Sequence, residues 1–424
     1  MQKEPISLVV FGATGDLMAR KILPSLFYLF REKKLSKGFR VVGISRRDIS
    51  KEGFREKMRE AAGKFDEIAK DKKFVGFLKL FYFVKGYFGD KYTYEDLKKV
   101  LEGHDHKIFF YLAVAPKFYK TVLENMKKAG LIHKNMFLLV EKPIGLDLKS
   151  AREIENLLAK YFNEWQIYRI DHYLAKSGMD ALFNFRFGSP TSIALRSRTS
   201  GLLEKIWSRE YISKIELRLW EKKDVGTRGE FYEGVGALRD VGQNHLLTML
   251  AYVAMEKPKA FHGEAVRKAR AALLQRLKIY NLRQAAPFAY RAQYSGYRDA
   301  PGVKRNSKAE TFFRVTAFLN AGQFRGVPIT IEAGKAMPEN KKEIVVKFRD
   351  GKNIIFQIET RAVKYQYVEE YKKILAGAFS GDDSIFLGRD EVLVSWKFVD
   401  PIVLVFKKNL VPLKFYEQNA YPKI

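Results

Sequence analysis

The chain is 424 residues long, 47% hydrophobic and 14% aromatic, with a formal net charge of +29 and no cysteine. Such a length suits two domains rather than one core, the apolar content excludes a disordered chain, and the lack of cysteine excludes disulfides and thiolate metal sites, fitting a cytoplasmic setting. No apolar run approaches the ~18 residues of a membrane span, and the basic residues are scattered in short groups (REKK, KDKK, KRNSK), so neither membrane nor nucleic acid is expected as a partner.

The N-terminal run ISLVVF reads as a first strand rather than a signal peptide. Short β-rich runs occur at Ile6–Gly12, Phe39–Ile44, Phe81–Val84, Lys107–Ala113, Met136–Val140 and Gln166–Ile170. Helical patterns such as Leu17–Lys34 and Lys117–Lys128 lie between them. That alternation predicts an α/β domain with a parallel sheet wound on both faces, whose ligands sit outside the carboxyl ends of the strands. The only close histidine pair, His104 and His106, falls in a charged turn, and no metal site is expected.

After Asp171 the rhythm changes. A helix is expected near Tyr173–Phe187, followed by a Ser-, Thr- and Gly-rich loop from Gly188 to Gly201. Period-two runs follow at Tyr211–Leu219, Phe312–Leu319, Glu343–Phe348 and Asn353–Ile358, with helices near Val235–Met255 and Gly263–Leu277. This predicts a second, α+β domain with a mainly antiparallel sheet and helices on one face. The expected domains are residues 1–171 and 172–424, which puts RIDHYLAK at the junction, a usual place for a pocket.

Four stretches carry chemistry. In VVFGATGDL, the turn Gly12, Ala13, Thr14, Gly15, Asp16, Leu17 lies between a strand and a helix, where glycines let backbone N–H groups approach a pyrophosphate. An ordinary βα turn is the competing reading. The second strand ends in Arg46 and Arg47, where an NAD site carries an acidic residue. With the Thr14 hydroxyl nearby, that favours a 2′-phosphate, hence NADP, with NAD as the weaker alternative. In LLVEKPIG, Lys142 follows the fifth strand and is placed to reach both cofactor and substrate, unless it is only a solvated surface lysine. In RIDHYLAK, a helix begun at about Tyr173 puts His172 at its N-terminus and Lys176 one turn on, so that with Tyr173 they offer an imidazole, a hydroxyl and an ammonium to a dianion; a capped helix with a surface lysine is the competing reading. In ALRDVGQNHLLTML, His245 falls on an apolar stripe. It is either a hydrogen-bonded core histidine or a general base held by a carboxylate. Asp240 stands about 140° away from it on a regular helix, which leaves Asp171 as the better partner.

Taken in order, GATGDL, FYLAVAP, VEKPIG, RIDHYLAK, RDVGQNHLLTMLAYVAMEKP, GYRDAPGV, FRGVPITIEAGKAM and GRDEVLVSWKFVDPI closely resemble the segments of the glucose-6-phosphate dehydrogenase family over nearly the whole chain. The resemblance implies a Rossmann-like first domain, and a homodimer or homotetramer. It also implies oxidation of glucose 6-phosphate to 6-phosphoglucono-δ-lactone with hydride transfer to NADP, the first step of the oxidative pentose phosphate pathway. It makes His245 the base and Asp171 its orienting carboxylate. His172, Tyr173 and Lys176 become the phosphate-binding group, while Lys142, Glu221, Asp240 and Lys335 hold the sugar. Lys142 also lies near the nicotinamide, and Thr14 and Arg46 meet the 2′-phosphate.

The chain departs from the family pattern at several positions. Met18 replaces a small residue beside the turn, which is expected to loosen helix–strand packing. Ala175 replaces a glycine and Ser177 a glutamate. Asn340 stands where the family has a second basic residue, with the adjacent Lys341 as the expected substitute. Gly188–Gly201 reads as an insertion, and segments between Ile358 and Asp382 as shortened. The rival enzyme class is the glucose–fructose oxidoreductase type, for which His172, Tyr173 and Lys176 have no phosphate to hold. A non-catalytic nucleic-acid binder is the other rival, against which the intact His245 and Asp171 count.

Overall fold

The structure is a computed structural model and describes residues 4–103, 106–188, 205–359 and 366–424. His104, the inserted stretch beyond Gly188 as far as Gly201, and part of the shortened segment after Ile358 lie outside the described residues. The chain divides into two compact units, the first comprising Met1–Gly145, Arg152–Ala175 and Val363–Leu387, the second Leu146–Ala151, Lys176–Ala362 and Gly388–Ile424.

The sheet of the first unit contains β1 (Ile6–Phe11), β2 (Arg40–Ser45), β3 (Phe81–Lys85), β4 (Lys107–Leu112), β5 (Met136–Glu141), β6 (Ile167–Ile170) and β13 (Phe386–Leu387). Its order is β3-β2-β1-β4-β5-β6-β13. All pairs are parallel except β13 with β6. The strands read as nearly unbroken apolar runs because both faces are covered; all six residues of β1 are buried. Order 3-2-1-4-5-6 is that of a Rossmann sheet, and its direction of winding reverses between β1 and β4, where such sheets open a crevice for a ligand.

Two features of this unit lie beyond the sequence expectations. The helix after β1 opens as a π-helix, Met18–Ile22, before continuing as the α-helix Leu23–Arg31. Met18, where a small residue was expected, is fully buried at the start of that π-helix. A helix from far along the chain, Gln366–Ser380, also packs on Leu23–Arg31. The Ser25 hydroxyl donates to the Val368 carbonyl at 2.9 Å, and the Phe379 ring meets Phe39 and Phe109 edge-on at 5.4 and 5.2 Å.

The sheet of the second unit contains β7 (Ile212–Trp220), β8 (Ala289–Tyr294), β9 (Phe312–Ala317), β10 (Ile329–Gly334), β11 (Lys341–Phe348), β12 (Asn353–Gln357) and β14 (Leu413–Tyr416). Its order is β12-β11-β7-β10-β9-β8-β14, antiparallel apart from the β7–β10 and β8–β14 pairs. Side chains alternate across it. Leu217, Leu219 and Ile344 fall on one face; Arg218 and Glu343, joined at 2.9 Å, fall on the other.

The single helix expected over Val235–Met255 is three pieces. Gly229–Ala237 is interrupted at Gly236, whose φ is +72°; a π-helix follows over Leu238–Leu246 and an α-helix over Leu247–Ala254. The π-helix lies against β7 and β10. Close approach is possible because Gly242 carries no side chain; a Cβ there would sit 2.7 Å from the Phe313 ring.

Candidate active site

In the first unit the turn after β1 is built for close approach. Gly12 has φ +85°, and a Cβ on it would lie 2.6 Å from the Ala113 carbonyl oxygen of the loop after β4. The Gly12 and Ala13 amides both donate to the Ile44 carbonyl, and Gly15 donates to Gly12, so the turn is tied to the end of β2. There the Thr14 and Ser45 hydroxyls lie 2.8 Å apart, and Ser45 accepts from the Arg47 amide at 3.3 Å. Arg46 and Arg47 are exposed, with no carboxylate between them and β2. Asp16 faces solvent and pairs with Arg20 at 3.7 Å. A glycine cradle of this kind, with two hydroxyls at its edge, fits the pyrophosphate and ribose of a dinucleotide.

A cavity of about 320 Å³ opens beside this turn, lined by Leu17, Lys21, Glu141, Lys142, His172 and Tyr371 together with residues 112–115. Three sequence candidates, Leu17, Lys142 and His172, thus meet at one cavity. The Lys142–Pro143 bond is cis. Next to Lys142, the Glu141 carboxylate accepts from the Tyr111 hydroxyl at 2.6 Å and the Tyr371 hydroxyl at 2.7 Å. Lys21 donates to Tyr371 at 3.3 Å and lies 4.7 Å from its ring centre. Burial pushes the Glu141 carboxyl up; the two phenols, Lys21 and Lys142 oppose that rise without cancelling it.

The stretch after β6 is not one helix. Asp171, fully buried, accepts from the Tyr173 amide at 3.0 Å. That Asx-type turn starts a tight 3-10 helix, His172–Ala175. Lys176 is then extended, at φ −71° and ψ 140°, and precedes the α-helix Ser177–Phe187. Lys176 therefore does not lie one turn along a helix begun at Tyr173, as the sequence had suggested. The break lets the second helix pack on β12, where Gly178 sits so close that a Cβ would lie 2.3 Å from the Gln357 carbonyl oxygen. The His172 ring contacts those of Tyr173 and Tyr367 at 5.1 and 5.8 Å.

In the second unit His245 is buried on the π-helix. That winding changes an inference from sequence. In a π-helix residues five apart are hydrogen-bonded partners, so Asp240 and His245 are brought towards the same face, and the angular ground for dismissing Asp240 is gone. The helix start is held by Glu310, a residue sequence reasoning missed. Its carbonyl accepts from the Ala237 amide at 3.0 Å and its carboxylate from the Leu238 amide at 3.1 Å. Burial raises the Glu310 carboxyl above its ordinary range despite these bonds.

Glu221 and Lys335 are brought together, the Lys335 ammonium donating to the Glu221 carboxylate. They follow β7 and β10, which pair in parallel up to Trp220 and Gly334. Met337 and Glu221 share a further backbone bond of 3.0 Å. Asp240 lies in the same neighbourhood. Burial lifts the Tyr232 hydroxyl well above its ordinary range, and the fields of Asp240, Glu221 and Glu310 add to the shift. Asn340 is occupied structurally, accepting from the Lys222 amide at 2.8 Å.

Comparison with known proteins agrees with this architecture. Residues 9–180 match the family model "Glucose-6-phosphate dehydrogenase, NAD binding domain", and residues 193–366 match "Glucose-6-phosphate dehydrogenase, C-terminal domain". Glucose-6-phosphate 1-dehydrogenase of Borreliella burgdorferi is 30% identical over 93% of this chain and 91% of its own length. The chain belongs to the glucose-6-phosphate dehydrogenase family. Two solved structures of the family extend the match to three dimensions. The glucose-6-phosphate 1-dehydrogenase of Mycobacterium avium superposes with a TM-score of 0.86 at 28% identity, covering 98% of this chain and 95% of that one. A glucose-6-phosphate dehydrogenase in complex with its substrate glucose 6-phosphate superposes with a TM-score of 0.88 at 28% identity, covering 99% and 96%. For a glucose-6-phosphate dehydrogenase, the unforeseen groups are those without a motif. Glu310 is distant in sequence from the helix it caps, and Tyr371 reaches the cavity from the helix Gln366–Ser380. Glu141 could have been suspected, since it stands directly before Lys142.

Proposed function

We propose that the chain is an NADP-dependent glucose-6-phosphate dehydrogenase that oxidises glucose 6-phosphate to 6-phosphoglucono-δ-lactone. The observation that carries this reading is the likeness to family members along almost the full length of both sequence and structure. NADP rather than NAD is supported by Ser45 at the end of β2, followed by exposed Arg46 and Arg47, with the Thr14 hydroxyl 2.8 Å from that of Ser45 and the nearby Asp48 paired with Lys85. Gly12, Ala13, Thr14, Gly15, Asp16 and Leu17 would hold the dinucleotide with Arg46 and Lys142; when bound, it supplies the hydride acceptor.

The chain's own groups do the rest. His245 takes the proton of the anomeric hydroxyl, and Asp171 orients the imidazole and stabilises its charge. Lys142, Glu221, Asp240 and Lys335 hold the sugar, while His172, Tyr173 and Lys176 bind the phosphate. Cofactor binding falls to the expected domain 1–171 and substrate binding to 172–424, with the correction that the first unit also takes in Val363–Leu387 and leaves Leu146–Ala151 to the second; a homodimer or homotetramer is the proposed assembly. The test is an assay with glucose 6-phosphate, both dinucleotides, and free glucose as control. Reduction of NADP is expected. His245→Ala should lose ~10²–10⁴-fold in kcat while still binding glucose 6-phosphate. Wild-type protein that reduces neither dinucleotide would refute the proposal.

A further inference from the structure

One ion cluster of the second unit joins Lys176 to two residues that have no role above. Glu359, just beyond β12, accepts from Lys176 at 2.8 Å and also from Lys342. The Lys176 side chain is 3% exposed, those of Lys342 and Glu359 21% and 23%. Burial opposes ionisation of Glu359, but hydrogen bonds from the two lysines outweigh it and hold the carboxyl below its ordinary range. Two ammonium groups on one carboxylate leave the cluster with net positive charge. Each ammonium has three donors, of which the bond to Glu359 uses one.

The register of β11 decides which lysine answers for Asn340. Lys341 pairs with Trp220, and its ammonium lies 4.7 Å from the Trp220 ring centre and 2.8 Å from Glu339. That is the face of Arg218 and Glu343. Lys342 points the other way. It pairs with Leu219, Leu219 with Ala333, and Ala333 with Phe313. Phe313 is the ring against which Gly242 of the His245 helix is packed. Lys341 cannot be the substitute, because it serves the opposite face of the sheet.

We propose that Lys342, held beside Lys176 by Glu359, is the second cation of the phosphate-binding site, with Glu359 as its positioning residue. The inference rests on the reading of Lys176 as a phosphate ligand in a glucose-6-phosphate dehydrogenase. Glu359 keeps two like charges together before substrate arrives, and the ester dianion then gains charge-assisted bonds from both ammonium groups. The family's glutamate beside the phosphate-binding lysine is Ser177 here, and Glu359 supplies a carboxylate from the segment after β12.

Steady-state kinetics with glucose 6-phosphate and free glucose test the assignment. Lys342→Ala should raise the KM for glucose 6-phosphate about tenfold or more, the scale of one bond between charged groups. Its kcat and its KM for free glucose should stay near wild type, and Lys342→Arg should recover most of the loss. Glu359→Gln should raise the same KM by a smaller factor, and Lys341→Ala should leave it unchanged. A wild-type KM in Lys342→Ala, an equal loss for both sugars, or the loss appearing in Lys341→Ala instead would each overturn the proposal. Calorimetric titration with inorganic phosphate reads the cation pair without turnover. Weaker binding by Lys342→Ala is expected, and equal binding refutes the assignment even if the wild-type enzyme proves to act on another sugar phosphate.

Discussion

Arg46 is the residue on which the choice of dinucleotide turns. It is exposed just beyond β2, next to Ser45, whose hydroxyl lies 2.8 Å from that of Thr14, and this pair can share a phosphate with it. A guanidinium on a phosphate is a charge-assisted, frequently bidentate contact. Its loss should therefore be felt only by the cofactor that has the extra phosphate. Arg46→Ala is expected to raise the KM for NADP ~10–100-fold and to move that for NAD far less. Equal weakening of both would remove Arg46 from the 2′-phosphate role.

Among the elements, the π-helix carrying Asp240 and His245 depends on a cap that is also a titratable group. Buried Glu310 has its carboxyl raised above the ordinary range, so the folded chain holds that proton at pH values where the unfolded chain has released it. The contribution to stability is thus present below the unfolded value of about 4.3 and declines as pH rises through the folded one. Glu310→Gln can still accept from the Leu238 amide but carries no such proton. Its melting temperature relative to wild type should be more favourable at pH 8 than at pH 5; a difference independent of pH would show that Glu310 does not titrate in this way. Nothing in RDVGQNHLL reveals this cap, or the π winding, because both apolar spacing and composition are compatible with an ordinary helix. The first six strands of the first unit, though not β13, were legible because burial on both faces leaves continuous apolar runs such as ISLVVF and KIFFYL. β8 was not, since AYRAQY contains Arg291 and Gln293, buried yet satisfied by carbonyls of Val411 and Ala309. β14 was missed as a short edge strand with Lys414 and Phe415 exposed. The candidates Leu17, Lys142 and His172, which line one cavity, were picked out by motif likeness. The supports Glu310, Tyr371 and Glu359 come from distant positions and left no local pattern.

For the whole molecule, the net charge of +29 is the dominant long-range property. A cationic surface raises the local concentration of a dianionic sugar phosphate, and salt screens that attraction, the Debye length falling from ~10 Å at 0.1 M to ~3 Å at 1 M. Raising sodium chloride across roughly that range should lower kcat/KM for glucose 6-phosphate much more than for free glucose. A ratio unaffected by salt would mean the charge serves another purpose. Among the described residues no helix is long and apolar enough to cross a membrane.

The first unit borrows its last helix and strand from residues beyond position 362. On the ribosome, the amino-terminal sheet is therefore made early but cannot be finished until most of the polypeptide has emerged. β6 waits for Phe386 and Leu387 at its open edge, and Glu141 waits for the hydroxyl of Tyr371. The unit that holds the glycine turn, begun before the second unit, is thus completed only after Leu387 has been made.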